Sequence, residues 1–344
     1  INLLGVFSTY KFGKKLYNEQ VGLFSSIIYA ANFAVFVINH DVRTDTMLAG
    51  FVIFSIWQLY EYLQTKNKLS FVLGFIGIGL GMLTKGPLGL LIPILSIGPF
   101  LVYQKRWKDI FKPEWFLGFV IVFITLIPMV YSVYQQHGME GLRFHFWDQS
   151  FGRITGNTKW EDTTGPLFFI HSFLWSFLPW TILALIAYVK KWIGAIKAYG
   201  KNDHFEIITI SGITLVFIAM SMAQYKLPHY IYVIIPLISI ITADYINNTF
   251  KQAKWEGFGS YISVSQIILN LLLWLAAGIS FYIFPVKYFF AYIIAIGFFL
   301  GFLYLYLKKE NNIPKIFSSS LVTIVGVAFV MNLHFYPGPV SYTH

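Results

Sequence analysis

Two lysines stand where an anion could be held. Lys85 lies in Thr84-Lys85-Gly86-Pro87, between the apolar runs 69–83 and 88–103. A lysine at the centre of a membrane helix costs roughly 2.5–3.5 kcal/mol on insertion scales. Its ammonium must therefore reach a membrane face, a watery cavity or an anion. Pro87 cannot continue a helix cleanly, so the sequence predicts two helices meeting at a tip that carries Lys85. An ammonium there can bind a phosphate as a point charge. The plainer alternative is a lysine snorkelling to the headgroups. Lys226, in Gln224-Tyr225-Lys226-Leu227-Pro228-His229-Tyr230, repeats the logic: a lysine beside a proline, with His229 and Tyr230 as added donors.

Carboxylates open another apolar run. His40-Asp41-Val42-Arg43-Thr44-Asp45 precedes residues 46–63. Asp41 and Asp45, four apart, share a face if the helix starts early, and Arg43 could pair with either. They could bind a substrate. Alternatively, Thr44 or Asp45 simply caps the helix start, where acidic charge is favoured. A third group lies in the long polar stretch 135–165, where Leu142, Phe144, Phe146, Trp147 and Phe151 interleave with Arg143, His145, Asp148 and Arg153. That pattern suits an amphipathic helix lying in the membrane interface. Read structurally, it is a surface anchor. Read functionally, Arg143 and Arg153 reach a lipid phosphate, and Asp148 or His145 a metal or a sugar. Residues 154–166 are polar and glycine-bearing, suited to a mobile flap.

The elements that must position these groups are membrane helices. The chain has 344 residues, 57% hydrophobic and only 12% charged; soluble proteins carry about 25% charged residues. Several apolar runs approach the roughly 20 residues that a spanning helix needs. The expected fold is all-α, a polytopic transmembrane bundle of about 11–12 helices. The spans fall at 2–10 (partial), 21–38, 46–63, 69–84, 88–103, 115–134, 166–188, 206–222, 230–246, 261–284, 287–307 and 316–335. Cysteine is absent, which removes disulfides and thiol chemistry. No signal peptide is visible. The chain opens at Ile1 as if a helix were under way, and a longer parent protein, missing here at both ends, is expected.

Charge fixes the orientation. Segments 11–20, 64–68, 104–114, 189–205, 247–260 and 308–315 hold 18 of the 25 basic residues; the alternate connections hold seven. The positive-inside rule puts the first set in the cytoplasm. The net charge of +10 is then a topological signal, and no nucleic-acid partner is expected. Of the histidines, only His204 falls on the cytoplasmic side. Asp45, Lys85, Lys226 and the 135–165 loop all share the outer face, so the chemistry belongs there.

In this order the motifs resemble the GT-C class of membrane glycosyltransferases, nearest to the bacterial family of protein mannosyltransferases and the aminoarabinose transferase of lipid A. The resemblance rests on Arg43-Thr44-Asp45, Leu83-Thr84-Lys85-Gly86-Pro87, Phe146-Trp147 with Arg153, Phe177-Leu178-Pro179-Trp180, and Lys226-Leu227-Pro228-His229-Tyr230 with Pro236. Phe335-Tyr336-Pro337-Gly338 looks like the exit toward a soluble domain. The resemblance implies transfer from a polyprenyl-phosphate sugar to a lipid, glycan or protein acceptor, at the outer, periplasmic face of a bacterial inner membrane. Two lysines at proline turns on one face, taken with this resemblance, make Lys85 and Lys226 the expected donor-phosphate contacts, with Arg143 or Arg153 closing from the loop. Asp41, Arg43, His145, Asp148, His229 and Tyr230 are then substrate contacts. The principal catalytic aspartate is expected in a first outer loop upstream of Ile1, with Asp45 in a supporting role. Asp148-Gln149-Ser150 departs from the aminoarabinose branch, which has a glutamate and a histidine there, so that branch's metal ligand and lipid A acceptor are not carried over. No cofactor is certain, and a divalent metal is left open.

The competing class is a transporter or lipid flippase, which would place ionisable groups near the bilayer midplane in broken helices. A purely structural membrane subunit would leave the outer-face lysines without a role.

Overall fold

The computed structural model describes residues 1–40, 43–148, 165, 167–201, 205–223, 225–250, 258–285, 289–308 and 314–334. Helices are the only regular structure among the described residues. In chain order they are α1 (Asn2–Leu16), α2 (Glu19–Ala30), α3 (Phe33–His40), α4 (Thr44–Thr65), α5 (Lys68–Lys85), α6 (Leu88–Tyr103), α7 (Trp107–Ile110) and α8 (Glu114–Arg143), followed by a π-helical turn (Phe144–Asp148). Then come α9 (Phe168–Ser176), α10 (Thr181–Ala198), α11 (Ile208–Ser221), a 3₁₀ segment (Pro228–Ile234), α12 (Ile235–Phe250), α13 (Phe258–Ile283), α14 (Phe289–Leu307) and α15 (Lys315–His334). Six described helices are long and apolar enough to cross a membrane, and α6 and α11 are shorter apolar helices. This is an integral membrane protein with a polytopic helical bundle.

Helices α4, α5 and α6 form where the apolar runs 46–63, 69–84 and 88–103 predict them. Asn67 starts α5 by accepting the Leu69 N–H at 2.9 Å, as an N-cap side chain does. Gly86 (φ 56°) ends it in a conformation that other residues adopt only with strain. Pro87 then starts α6. The α5–α6 hairpin is tight: a Cβ built on Gly89 would lie 2.3 Å from backbone atoms of Gly81 and Met82. This close approach fixes the tip that carries Lys85.

Two expected spans, 21–38 and 166–188, are each broken in the middle. The first breaks at Ala31 and Asn32, the second at Phe177 to Trp180. The breaks satisfy each other. Phe33 N–H donates to the Leu178 carbonyl at 3.0 Å, and the Trp180 indole N–H donates to the Ala31 carbonyl at 2.6 Å. Asn32 adds a local cap, donating to the Ile28 and Tyr29 carbonyls and accepting the Val35 N–H. Without water, each freed backbone group needs such a partner.

The span expected at 115–134 continues as α8 to Arg143, with a non-helical Gly138 (φ 60°, ψ −152°) dividing it. The stretch past Gly138 and the π-helical turn correspond to the first half of the expected interfacial segment. The rest of that loop lies outside the described residues. One large apolar core runs through α1–α6 and α8–α12 and takes in the starts of α13 and α15; a small second cluster around Trp274, Phe302 and Val330 joins α13, α14 and α15.

Candidate functional site

The start of α4, the end of α5 and the start of α6 meet at one end of the bundle, against the 3₁₀ segment. They enclose a cavity of about 530 Å³. Its polar end is made by Arg43, Asp45, Thr84, Lys85, His229 and Tyr230. Its wall is apolar, with Leu88, Leu91 and Leu95 of α6 facing Val216, Ala219 and Met220 of α11. From Leu88 to Leu95 a helix rises roughly 10 Å. The slot therefore runs from the charged end into the depth of the bundle.

Asp45 and Lys85 each occupy the helix end that suits its charge. Asp45 is in the first turn of α4 and Lys85 in the last turn of α5. Acidic groups are favoured at the first position and basic groups at the second. There the Lys85 ammonium donates to Oδ1 of Asp45 at 2.6 Å, and the carboxylate is only 6% exposed. The same ammonium lies over the Tyr230 ring, 4.2 Å from its centre, in cation–π geometry.

His229 bridges the rest. Arg43 Nη1 is 2.9 Å from His229 Nδ1. Nη1 is also 3.4 Å from Nε2; a guanidinium only donates, so the imidazole is the acceptor, through Nδ1 as the nearer atom. Nε2 in turn faces Oδ2 of Asp45 at 3.7 Å. Arg43, His229, Asp45, Lys85 and Tyr230 thus form one connected polar cluster, drawn from three elements.

Helix capping by Thr44 or Asp45 is corrected. The N-cap residue of α4 is Arg43, without a side-chain cap bond, and Asp45 is turned into the cavity instead. Lys226 is buried beside the cavity but is not among the residues lining it. The His145 ring nitrogen is 3.2 Å from the Met82 carbonyl, which places the π-helical turn against the tip near Lys85. Arg143 is mostly exposed, lies outside the cavity lining and sits 3.7 Å from Asp148. Asp41 and Arg153 lie outside the described residues. So does residue 335 onward, with the expected exit from the membrane. Among the described residues no group of three or more His, Cys, Asp or Glu side chains is arranged to hold a metal.

Sequence reasoning missed the apolar wall and Tyr225, which also lines the cavity. Leucines of α6 read as ordinary packing in a single sequence. Their only signal is position, directly after the Lys85 tip.

Residues 1–131 match the family described as dolichyl-phosphate-mannose-protein mannosyltransferase. An uncharacterized protein of Aquifex aeolicus is 28% identical over 259 residues, covering 73% of this chain and 49% of that protein. The undecaprenyl phosphate-alpha-4-amino-4-deoxy-L-arabinose arabinosyl transferase of Edwardsiella ictaluri is 24% identical over 226 residues, covering 64% and 39% respectively. This chain thus spans about half, or less, of the length of the curated relatives it matches. The fold is similar to the crystal structure of ArnT from Cupriavidus metallidurans bound to undecaprenyl phosphate, with TM-score 0.77 and 17% identity, over 99% of this chain and 62% of that one. The apo form of the same protein gives a TM-score of 0.72.

Proposed function

We propose that this chain is a member of the GT-C membrane glycosyltransferases, of the protein mannosyltransferase and aminoarabinose transferase family it resembles, and takes part in moving a sugar from a polyprenyl-phosphate donor to a lipid, glycan or protein acceptor. The active face is the periplasmic side of a bacterial inner membrane. The observation that carries this reading is one continuous cavity with a cationic end and an apolar slot. A polyprenyl phosphate has the same two parts in the same order.

The leaving group in such a transfer is a lipid phosphate. As the acceptor oxygen bonds the anomeric carbon, the carbon–oxygen bond to that phosphate breaks and negative charge grows on it. Preorganised cations are the effective stabilisers of such charge. Lys85 is the nearest candidate, with Arg43 beside it. Asp45 is engaged with Lys85 and suits a positioning role, holding the ammonium aimed at the cavity. The α6–α11 wall would take the first isoprene units. Lys226, Arg143 and Arg153 remain proposed phosphate contacts from the surrounding segments. The acceptor's proton goes to a carboxylate outside this cluster.

Transport without covalent chemistry is the weaker reading. The described ionisable cluster gathers at one end of the bundle rather than near the bilayer midplane.

The direct test is binding of undecaprenyl phosphate to the purified chain, followed by native mass spectrometry, with undecaprenol as control. Saturable binding that needs the phosphate and is lost in Lys85→Met is expected. Equal retention of undecaprenol and its phosphate would sink the assignment.

A further inference from the structure

The opposite end of the bundle carries a second charged cluster that the cavity reading does not use. Asp109 of α7 accepts three cations at once. Lys66 lies 3.1 Å and Lys112 2.8 Å from its Oδ1, and Arg106 Nη2 lies 2.6 Å from its Oδ2. Arg106 also donates to the Leu63 carbonyl, at the end of α4, at 2.8 Å. Two ammonium groups on one oxygen are close neighbours and repel. Burial and the adjoining Lys112 ammonium lower the Lys66 pKa from its usual value, although Asp109 pulls it up. The next carboxylate, Glu114, is taken by the Tyr62 hydroxyl. Across residues 64–68 and 104–114, six basic side chains face two acidic ones.

Position adds a second argument. Helix α4 runs 22 residues between the Asp45 cluster and Lys66. That is a rise of roughly 30 Å, the thickness of a bilayer's hydrocarbon core. The surplus charge therefore sits at the headgroup layer of the far leaflet. Beside it Trp107 is 52% and Phe111 79% exposed, as aromatic residues are at headgroup depth.

We propose that Lys66, Lys112 and Arg106 form a binding site for the phosphodiester headgroup of an anionic phospholipid in the leaflet opposite the cavity. Lys66 also donates to the Leu63 carbonyl at 3.3 Å, so of the three N–H donors on each ammonium one remains on Lys66, and Lys112 keeps donors beyond the one spent on Asp109. A phosphodiester oxygen between them supplies the counter-charge that one carboxylate cannot. Trp107 and Phe111 lie along the glycerol and upper acyl region. The site stands independently of what the cavity binds.

The experiment reads lipid retained by the purified chain from nanodiscs of equal phosphatidylglycerol and phosphatidylcholine, by native mass spectrometry. The unmodified chain should retain phosphatidylglycerol preferentially. Lys66→Gln with Lys112→Gln should lower that preference by about fivefold or more. The same charge change at Lys197→Gln with Lys201→Gln, on another turn of the same side, should leave it intact. Asp109→Asn should raise it, because the internal competitor for the cations is gone. Equal retention of both lipids by the unmodified chain overturns the proposal. So does an equal fall in the two double variants, or no rise in Asp109→Asn. Displacement of the lipid by millimolar inorganic phosphate would assign the cluster to free phosphate and overturn it as well.

Discussion

The Lys85 ammonium and the Asp45 carboxylate, forty positions apart, meet at 2.6 Å with the carboxylate almost wholly buried. A phosphate entering the cavity must share Lys85 with an anion already in place. On the proposed function the two charges have separable duties, structural toward each other and, for Lys85, functional toward the ligand.

Lys85→Met should abolish polyprenyl-phosphate binding and also destabilise the fold, because Asp45 keeps a buried charge without its ammonium. Breaking one side of a buried pair costs about 3–5 kcal/mol. Adding Asp45→Asn to Lys85→Met should restore most of the thermal stability and none of the binding. Thermal unfolding in detergent and a binding titration on the same samples check both halves. If the double variant binds donor, Lys85 is not the phosphate ligand.

His229 accepts from Arg43 and presents its other nitrogen to Asp45. His229→Phe keeps ring volume and the edge contact on Tyr230 but leaves the guanidinium without that acceptor. A hydrogen bond to a charged group is worth about 1.5–3 kcal/mol. Polyprenyl-phosphate affinity should fall about tenfold or more. A dissociation constant matching the unmodified chain would show that Arg43 needs no positioning.

Gly89→Ala tests the hairpin. The added Cβ meets backbone rather than a movable side chain. Overpacking of this sort costs about 1–3 kcal/mol, and the displaced tip should carry Lys85 off the cavity. A drop in melting temperature together with weaker donor binding is expected, and a neutral substitution would contradict the close approach.

Orientation is testable because the chain has no cysteine. Single cysteines at 104–114 should resist a membrane-impermeant reagent in intact cells, and those beside Arg43 or Lys226 should react. The reverse pattern would invert the topology and move the cavity to the cytoplasmic face.

Much of the bundle was legible because apolar runs end in turn residues. Asn67 and Gly86-Pro87 mark both ends of α5 in the sequence itself. The cluster around Lys85 was legible in its members but not in its wiring. Nothing local says that Asp45 turns toward Lys85 rather than capping its own helix, since that choice is made by a residue forty positions on. The breaks in the spans 21–38 and 166–188 were hidden for a related reason. Asn32 and Pro179 are weak cues inside long apolar runs. What makes each break affordable is a donor or acceptor supplied by the other.

The exchange between those breaks also orders how the protein is made. Trp180 is 149 residues beyond Ala31, so the first stretch enters the bilayer long before its partner has been synthesised. Until then the Asn32 side chain alone serves the break, through Ile28, Tyr29 and Val35, and the Ala31 carbonyl and Phe33 N–H wait for Trp180 and Leu178. The bend between α2 and α3 is therefore completed late in biogenesis, when the Phe177–Trp180 segment supplies its last two partners. A ribosome stalled before residue 177 would leave that bend held by Asn32 alone.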